Sequence, residues 1–199
     1  MSDLRIVPSS EADWDDVAAV FGDRGPGSRC WCQRYKLFPG ESFAALGPDV
    51  LATRMREQTR CGEPSADSAS GLVAYLGDEP VGWCAVEPRP AYHGLLRKTF
   101  RIHWEGRDED REDESVWSVT CLFARAGYRK RGVARALAEA AVEHARTHGA
   151  RAVEAYPIVV KNVIGEELHV GTESMFADAG MTVVSHPSKR RVVMRLDFS

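Results

Sequence analysis

The segment YRKRGVARAL, residues 128–137, gathers basic side chains around one glycine and then continues as an alanine-rich helical pattern. Glycine lets the main chain come close to a ligand. The first N–H groups of a helix have no partner inside the helix, and with the helix dipole they bind phosphate oxygens. The spacing Arg129-x-x-Gly132-x-Ala134 therefore predicts a diphosphate site. Its expected residues are Arg129, Lys130, Arg131, Gly132, Val133 and Ala134.

Two other phosphate-binding patterns do not occur in the sequence. It contains neither G-x-x-x-x-G-K-[ST], which would indicate a P-loop, nor G-x-G-x-x-G, which would indicate a dinucleotide-binding fold. The plain alternative to a ligand site is an ordinary turn between a strand and a helix, with arginines on its surface. The elements around the segment help to decide between the two.

Those elements form a strand–helix–strand unit. The run SVWSVTCLFA, residues 115–124, is typical of a strand, with Trp117, Val119, Cys121 and Phe123 on one face. A helix over 131–148 is predicted by an apolar stripe at every fourth residue and ends at a glycine. A second strand follows in ARAVEAYPI. Such a βαβ unit predicts two parallel strands joined by a right-handed crossover.

The rest of the chain predicts one domain over residues 1–199. We expect a strand at 4–8 and a helix capped by Ser9 or Ser10, then a long irregular connection from 22 to 48. The remaining predicted elements are a helix at 48–60, a hairpin at 71–88, a short helix at 171–180 and strands at 181–186 and 190–198.

Composition limits the function classes. The net charge of −3 disfavours a nucleic-acid-binding module, which would need a dominant basic face. No leader and no apolar run of about 20 residues is present, so we expect a cytoplasmic protein without a membrane partner. Five cysteines without an export signal predict free thiols. The CWC pair has one-residue spacing and no second pair, so no metal site is predicted.

The run EGRDEDREDE, residues 105–114, is dominated by acidic side chains and has two interpretations. A charge run is usually a solvated, mobile loop. Alternatively, it forms a rim whose negative field attracts a cationic substrate.

The sequence resembles the GCN5-related N-acetyltransferase (GNAT) superfamily. The resemblance rests on CLFARAGYRKRGVARAL, which fits a strand followed by [RQ]-x-x-G-x-[GA] and a helix, and on MFADAGM, which looks like the family's late helix ending in glycine. The order of elements fits along nearly the whole chain. The resemblance implies an α/β (α+β) fold, with a mixed, twisted sheet of about six to seven strands and helices on both faces.

The resemblance also implies an activity and a co-substrate. It predicts an acetyl-CoA-dependent N-acetyltransferase, in which an amine of a small molecule or protein attacks the thioester directly. The main chain of Leu122, Phe123 and Ala124 would hold the pantetheine arm, and residues 129–134 would hold the diphosphate of coenzyme A. A backbone N–H near 121–123 would face the thioester carbonyl as an oxyanion donor. A homodimer is compatible with the sequence.

The residues for proton transfer depart from the family pattern. Phe176 stands where a tyrosine often acts as the general acid, and Met181 stands where an aromatic residue usually packs. Ser174, Thr172, His169 and Tyr156 are nearby substitutes, and Glu87 and Glu154 are the carboxylates expected closest to the cleft. The predicted catalytic set is Glu87, Ser174 and Tyr156. The acceptor pocket is expected to use the irregular segment around Trp31 and Tyr35, with Trp31 as its predicted residue. The alternative function is a non-catalytic acyl-CoA-binding or regulatory domain that kept the phosphate loop and lost its acid.

Overall fold

The computed structural model describes residues 4–97, 104–160, 163 and 165–199. Seven strands form one sheet in the order β1-β2-β3-β4-β5-β7-β6. The strands are β1 (Leu4–Pro8), β2 (Gly71–Leu76), β3 (Glu79–Pro88), β4 (Val116–Ala124), β5 (Ala152–Ala155), β6 (Thr182–Ser188) and β7 (Arg191–Asp197). β4 and β5 are parallel, and every other neighbouring pair is antiparallel. The predicted mixed sheet and its βαβ unit are confirmed.

Helices lie on both faces of this sheet. They are α1 (Trp14–Phe21), α2 (Pro26–Cys30), α3 (Phe43–Thr59), α4 (His93–Leu96), α5 (Val133–Thr147) and α6 (Glu173–Asp178). Short 3₁₀ turns occur at Ser9–Glu11, Arg89–Ala91 and Gly165–Val170. None of these helices is long and apolar enough to cross a bilayer, within the residues described.

Two apolar clusters hold these helices against opposite faces of the sheet. The predicted stripe of α5, Val133, Leu137, Ala141 and Ala145, is buried in one cluster with Phe176 of α6. Gly82 of β3 lies under this helix, where an added Cβ would stand 2.6 Å from a Val133 methyl. The other cluster joins α1 to the opposite face through aromatic residues such as Phe21, Trp83 and Tyr92. The glycine in β3 thus lets the start of α5 approach the sheet.

β4 contains a bulge that the sequence did not reveal. Ala85 of β3 pairs with Cys121, whereas the next residue, Val86, pairs with Val119, so Thr120 is an extra residue in β4. A bulge of this kind bends a strand and redirects its side chains. Trp117 and Val119 therefore pack in the α5 cluster, while Cys121 and Phe123 belong to the other one. The prediction that these four share a face is wrong.

Two local predictions before β2 also need correction. Ser9 and Ser10 do not cap α1, because they form a separate 3₁₀ turn in which the Ser9 hydroxyl donates to the carbonyl of Thr59 at 2.8 Å. The connection 22–48 is less irregular than predicted, because it contains α2 and the first residues of α3. Ser42 begins α3 by accepting a hydrogen bond from the Ala45 N–H at 3.2 Å.

Candidate functional site

One edge of β4 is open where the strand passes the end of β5. The parallel pairing joins Val116–Val119 to Ala152–Ala155 and stops there. In the residues that the structure describes, Cys121–Ala124 pair with β3 on one side and with no strand on the other, and the bulge residue Thr120 pairs with neither neighbour. A cavity of about 950 Å³ is lined by Thr120, Cys121, Leu122, Phe123 and Ala124. An unpaired strand edge beside a cavity offers backbone donors and acceptors to an extended ligand.

The loop that opens α5 forms another wall of the cavity. Gly132 precedes the helix with φ 82°, in the left-handed region, and its carbonyl accepts the first helical hydrogen bond from the Ala136 N–H at 3.0 Å. Lys130 also has a left-handed backbone, with φ 60°. The first N–H groups of α5, like those of any helix, have no acceptor within the helix. Arg129, Lys130, Gly132, Val133 and Ala134 all line the cavity.

The arginines of this loop have different surroundings. Arg135 lines the cavity and forms an ion pair with Asp178 of α6. Arg125 is paired with Glu79 at 3.0 Å. Arg131 does not line the cavity, and its guanidinium lies 5.3 Å from the centre of the Tyr128 ring. Arg129 and Lys130 are therefore the lining cations of the loop without a carboxylate partner among the described residues.

The wall opposite α5 is built by α2 and the turn after it. Gly27 of α2 lies against Phe123, where an added Cβ would stand 2.9 Å from the ring and 2.8 Å from the carbonyl oxygen of Phe21. This close contact brings Pro26, Cys30 and Cys32 to the cavity. Cys32 has a left-handed backbone, with φ 52°, and burial, with a hydrogen bond to Cys121, raises its thiol pKa. None of the five cysteines, all of which lie in the described part of the chain, forms a disulfide.

This geometry matches known proteins of one family. The family model described as "Acetyltransferase (GNAT) family" matches residues 35–169. The chain belongs to the GNAT acetyltransferase family. No significant match was found among curated proteins.

Solved structures share the GNAT fold over almost the whole chain. One described as an acetyltransferase has a TM-score of 0.57 at 15% identity, covering 97% of this chain and 98% of that one. A GCN5-related N-acetyltransferase from Kribbella flavida has 0.53 at 18% identity, covering 98% of each chain. The PaiA N-acetyltransferase of Thermoplasma acidophilum, solved in complex with coenzyme A, has 0.51 at 11% identity, covering 98% and 99%. At these identities the likeness is one of fold.

Within this GNAT fold, eight of the nine residues predicted to bind the cofactor line the cavity. Leu122, Phe123 and Ala124 do so from β4, and five others do so from the α5 loop. Arg131 is the exception among the nine. In the segment around Trp31 and Tyr35, which was expected to form the acceptor pocket, Tyr35 lines the cavity and Trp31 does not. The sequence did not indicate the further lining residues Arg34, Leu168 and Met175. No local pattern shows which side chains of distant segments reach the cavity.

Two residues of the predicted catalytic set lie away from the cavity. Tyr156 is fully buried, and its hydroxyl donates to Glu154 Oε2 at 3.0 Å and lies 2.9 Å from Ser118 Oγ. Burial and the nearby Glu154 charge raise the pKa of that phenol. Ser174 is exposed, with its hydroxyl 3.2 Å from Thr172 Oγ1. Neither side chain lines the cavity, and their catalytic roles stay predictions.

The carboxylates considered as bases are held by cations of the same chain. Glu87 is ion-paired to the buried Lys36 and accepts a hydrogen bond from Ser70 Oγ at 2.9 Å. Glu154 is fully buried and ion-paired to Arg89, Arg107 and Arg195. Neither carboxylate lines the cavity, whereas His169, one of the substitutes suggested for the missing acid, does.

Phe176 and Met181 occupy core positions. Phe176 is fully buried, with its ring 2.7 Å from the Cβ position of Gly171, and Met181 is 2% exposed in the same cluster. The phenyl ring therefore serves packing between α6 and β4.

The acidic run 105–114 does not form part of the cavity wall. Glu109 lies between Arg89, Arg107 and Arg195, at 3.3 Å from Arg89 and 3.2 Å from Arg195. Asp113 accepts from Ser115 and Arg151, and these hydrogen bonds lower its pKa to about 2. None of these acids lines the cavity. The run is an irregular segment with mostly exposed or half-buried side chains, joined to β5 and β7 by ion pairs, and it gives the rim interpretation no support because it does not line the cavity. Among the described residues, no cluster of His, Cys, Asp or Glu could hold a metal ion.

Proposed function

We propose that this GNAT protein transfers the acetyl group of acetyl-CoA to an amine. One observation carries the proposal: the open edge of β4 and the basic loop of α5 line the same cavity of about 950 Å³. A long ligand with amide groups at one end and a diphosphate at the other would match both walls. Coenzyme A has this chemistry.

The residues of the cavity fit that ligand. Backbone groups of Thr120–Ala124 would hydrogen bond to the pantetheine amides as a neighbouring strand does. The N-terminal N–H groups of α5 would bind the diphosphate, because the helix dipole favours negative charge there. Arg129 and Lys130 would add the opposite charge. The largely apolar side chains of Leu122, Phe123 and Val133 suit the methylene groups between these ends.

Acetyl-CoA supplies an acetyl group already activated as a thioester. The acceptor nitrogen forms a bond to the carbonyl carbon, the carbon–sulfur bond breaks, and the thiolate leaves and takes up a proton. A backbone N–H within Cys121–Phe123 would stabilise the charge that develops on the carbonyl oxygen. Such a donor is worth about 2.7–4 kcal/mol in other enzymes. This contribution needs no side chain, so it does not depend on Phe176.

The ammonium form of the acceptor must lose a proton before it attacks. An imidazole exchanges protons near neutral pH, and His169 contributes one to the cavity wall. Glu87, by contrast, is held by Lys36 and Ser70 outside that wall. We therefore propose His169 as the group that accepts this proton, directly or through water.

Two measurements test the proposed function. Calorimetry with coenzyme A and acetyl-CoA tests binding, and detection of the released thiol with a panel of amines tests transfer. We expect micromolar binding and amine-dependent thiol release. Absence of binding to either ligand would contradict the proposal.

The alternative function is an acyl-CoA-binding domain without chemistry. Its support is Phe176, which is fully buried at the position where a tyrosine often acts as the general acid in the family. Binding of coenzyme A without amine-dependent thiol release would favour this alternative. The Phe176→Tyr variant, which restores the hydroxyl, distinguishes the two functions. In a natural transferase kcat should change only modestly, whereas a domain that has lost its chemistry should gain turnover that was undetectable before. A thiolate is already a tolerable leaving group.

A further inference from the structure

The charged side chains that line the cavity, among the described residues, are all basic. The described residues of its wall include Arg34, Arg129, Lys130 and Arg135, and they include no aspartate and no glutamate. An acceptor with a second positive charge would find no described carboxylate there. Bringing such a charge into this cavity would add repulsion from the arginines and would leave the charge unpaired. The acidic run 105–114 supplies no compensation, because it lies outside the wall.

The cations occupy two different parts of the wall. Arg129 and Lys130 lie in the loop before α5 and Arg135 lies in the first turn of α5, where the diphosphate would bind. Arg34 instead follows α2, next to Tyr35, and both line the cavity together with Thr120 and Cys121. Burial raises the pKa of the Tyr35 phenol, and the charges of Arg191 and then of Arg34 oppose that rise. Thr120 is the bulge residue of β4, and the proposed oxyanion donor lies within Cys121–Phe123, so Arg34 lines the same cavity as the residues proposed to hold the thioester.

Arg34 is available to a ligand. It is exposed, and its guanidinium lies 5.9 Å from the centre of the Phe43 ring. In the described part of the chain it forms no ion pair with a carboxylate, unlike Arg54, which is paired with Glu41 at 2.6 Å. A guanidinium can bind a carboxylate through two parallel hydrogen bonds.

We propose that the acceptor is an amine that also carries a carboxylate, such as an amino acid, and that Arg34 binds this carboxylate. The inference rests on the proposed acetyl transfer and names its substrate class. The carboxylate on Arg34 would direct the amine toward the open edge of β4. An acceptor of this class differs from the cationic substrate that the rim interpretation of the acidic run predicted.

Matched acceptors test the proposal. The panel contains the standard amino acids, the carboxamide of each, and the amine that each would give on decarboxylation, with acetyl-CoA as donor. Dipeptides and their amides are added to distinguish a free amino acid from the end of a peptide. For the best substrate, we expect kcat/KM to exceed that of its amide by about 10- to 100-fold, because a charged hydrogen-bond pair is lost in the amide.

The Arg34→Gln variant connects this preference to one side chain. We expect KM for the best acid to rise about 10- to 100-fold, while KM for its amide and the affinity for coenzyme A stay the same. Arg24→Gln is the matched control, because Arg24 is exposed on the same connection and does not line the cavity. It should leave both substrates unaffected.

The outcomes separate this proposal from the proposed function. If the natural protein does not bind coenzyme A, the proposed acetyl transfer itself is contradicted. If coenzyme A binds but no acid is acetylated faster than its amide, the carboxylate proposal is wrong, whatever other amine reacts. If the ratio of kcat/KM for the acid to that for its amide is equal in the natural protein and in Arg34→Gln, Arg34 does not bind the carboxylate.

Discussion

At the scale of single residues, Gly132 matters for its backbone rather than for the space beside it. A Cβ at this position would meet no atom within 4 Å, but φ is 82°. A side chain in the left-handed region costs about 1–2 kcal/mol. We expect Gly132→Ala to destabilise the loop or to turn its N–H groups away from the ligand. Calorimetry should show coenzyme A affinity lowered by roughly 5- to 30-fold.

The other end of α5 offers a matched control. Gly149 has φ 77° and equally open space, but it lies far along the helix from the cavity. Gly149→Ala should lower the free energy of unfolding by a similar amount and leave coenzyme A affinity unchanged. Equal affinity in the natural protein and in Gly132→Ala would contradict the assignment of this loop to the diphosphate.

The second residue prediction concerns His169. If its imidazole accepts the proton of the acceptor, His169→Asn should lower kcat by about 10²-fold or more, because general base catalysis contributes that much. The acidic limb of the pH–kcat/KM profile should flatten in the variant, while coenzyme A affinity stays the same. Steady-state kinetics across a pH series checks this.

His186 is the control for that experiment, since it is exposed on β6 and does not line the cavity. Its replacement by Asn should change neither kcat nor the profile. Glu87→Gln provides the competing outcome. If it removes the acidic limb while His169→Asn preserves it, the base is Glu87, as first predicted from the sequence.

At the scale of elements, the sequence predicted what is encoded locally. The apolar stripe of α5 and the β-rich runs around it specify a βαβ unit within about forty residues, because periodicity alone indicates the element types and the buried face of the helix. The bulge at Thr120 depends instead on the register between β3 and β4, which no local pattern contains. For the same reason the arrival of Arg34 at the cavity could not be predicted.

The C-terminal turn of α5 gives an element-scale prediction about pH. His144 lies against Trp117 at a centroid distance of 5.6 Å and against His148 at 4.0 Å. Burial first, and then the charge of His148, lower its pKa to about 4. An unfolded histidine titrates near ~6.5. Between these values the unfolded chain holds the proton and the folded chain does not, so stability should decrease as pH falls through this window.

Denaturant titrations over that pH range measure the effect. We expect the free energy of unfolding to fall on the order of 2 kcal/mol between the upper and lower pH, with no further contribution from His144 below its folded pKa. His144→Gln should reduce this fall, and His186→Gln should not. An unchanged pH dependence in His144→Gln would show that other groups cause the acid sensitivity.

At the scale of the whole molecule, the charge of the cavity wall is opposite in sign to the net charge of the chain. The chain carries a net charge of −3, yet the described cavity wall has several cations and no carboxylate. The net charge was used to argue against a dominant basic face, but it could not predict this local field. In the folded chain, carboxylates such as Glu109 and Glu154 form ion pairs with arginines outside the cavity wall. Sequence alone counts charges without showing which of them neutralise one another.

This separation predicts how salt affects ligand binding. Raising ionic strength from about 0.1 M to about 1 M shortens the screening length from ~10 to ~3 Å, so attraction between the cavity and an anionic ligand should weaken. Coenzyme A affinity should therefore fall steadily with added salt, as measured by calorimetry. A protein whose net charge governed binding would behave in the opposite way, because screening would relieve repulsion between two anions.

Two neighbouring arginines test whether the local field is responsible. Arg129 lines the cavity, whereas Arg131 lies over Tyr128 outside it, and both are exposed. Each Gln variant lowers the net charge equally, so any difference between them comes from position. We expect Arg129→Gln to weaken coenzyme A binding and to flatten its salt dependence, and Arg131→Gln to change both much less. Equal effects would mean that the ligand responds to the overall charge, and the diphosphate would then lack a specific contact with Arg129.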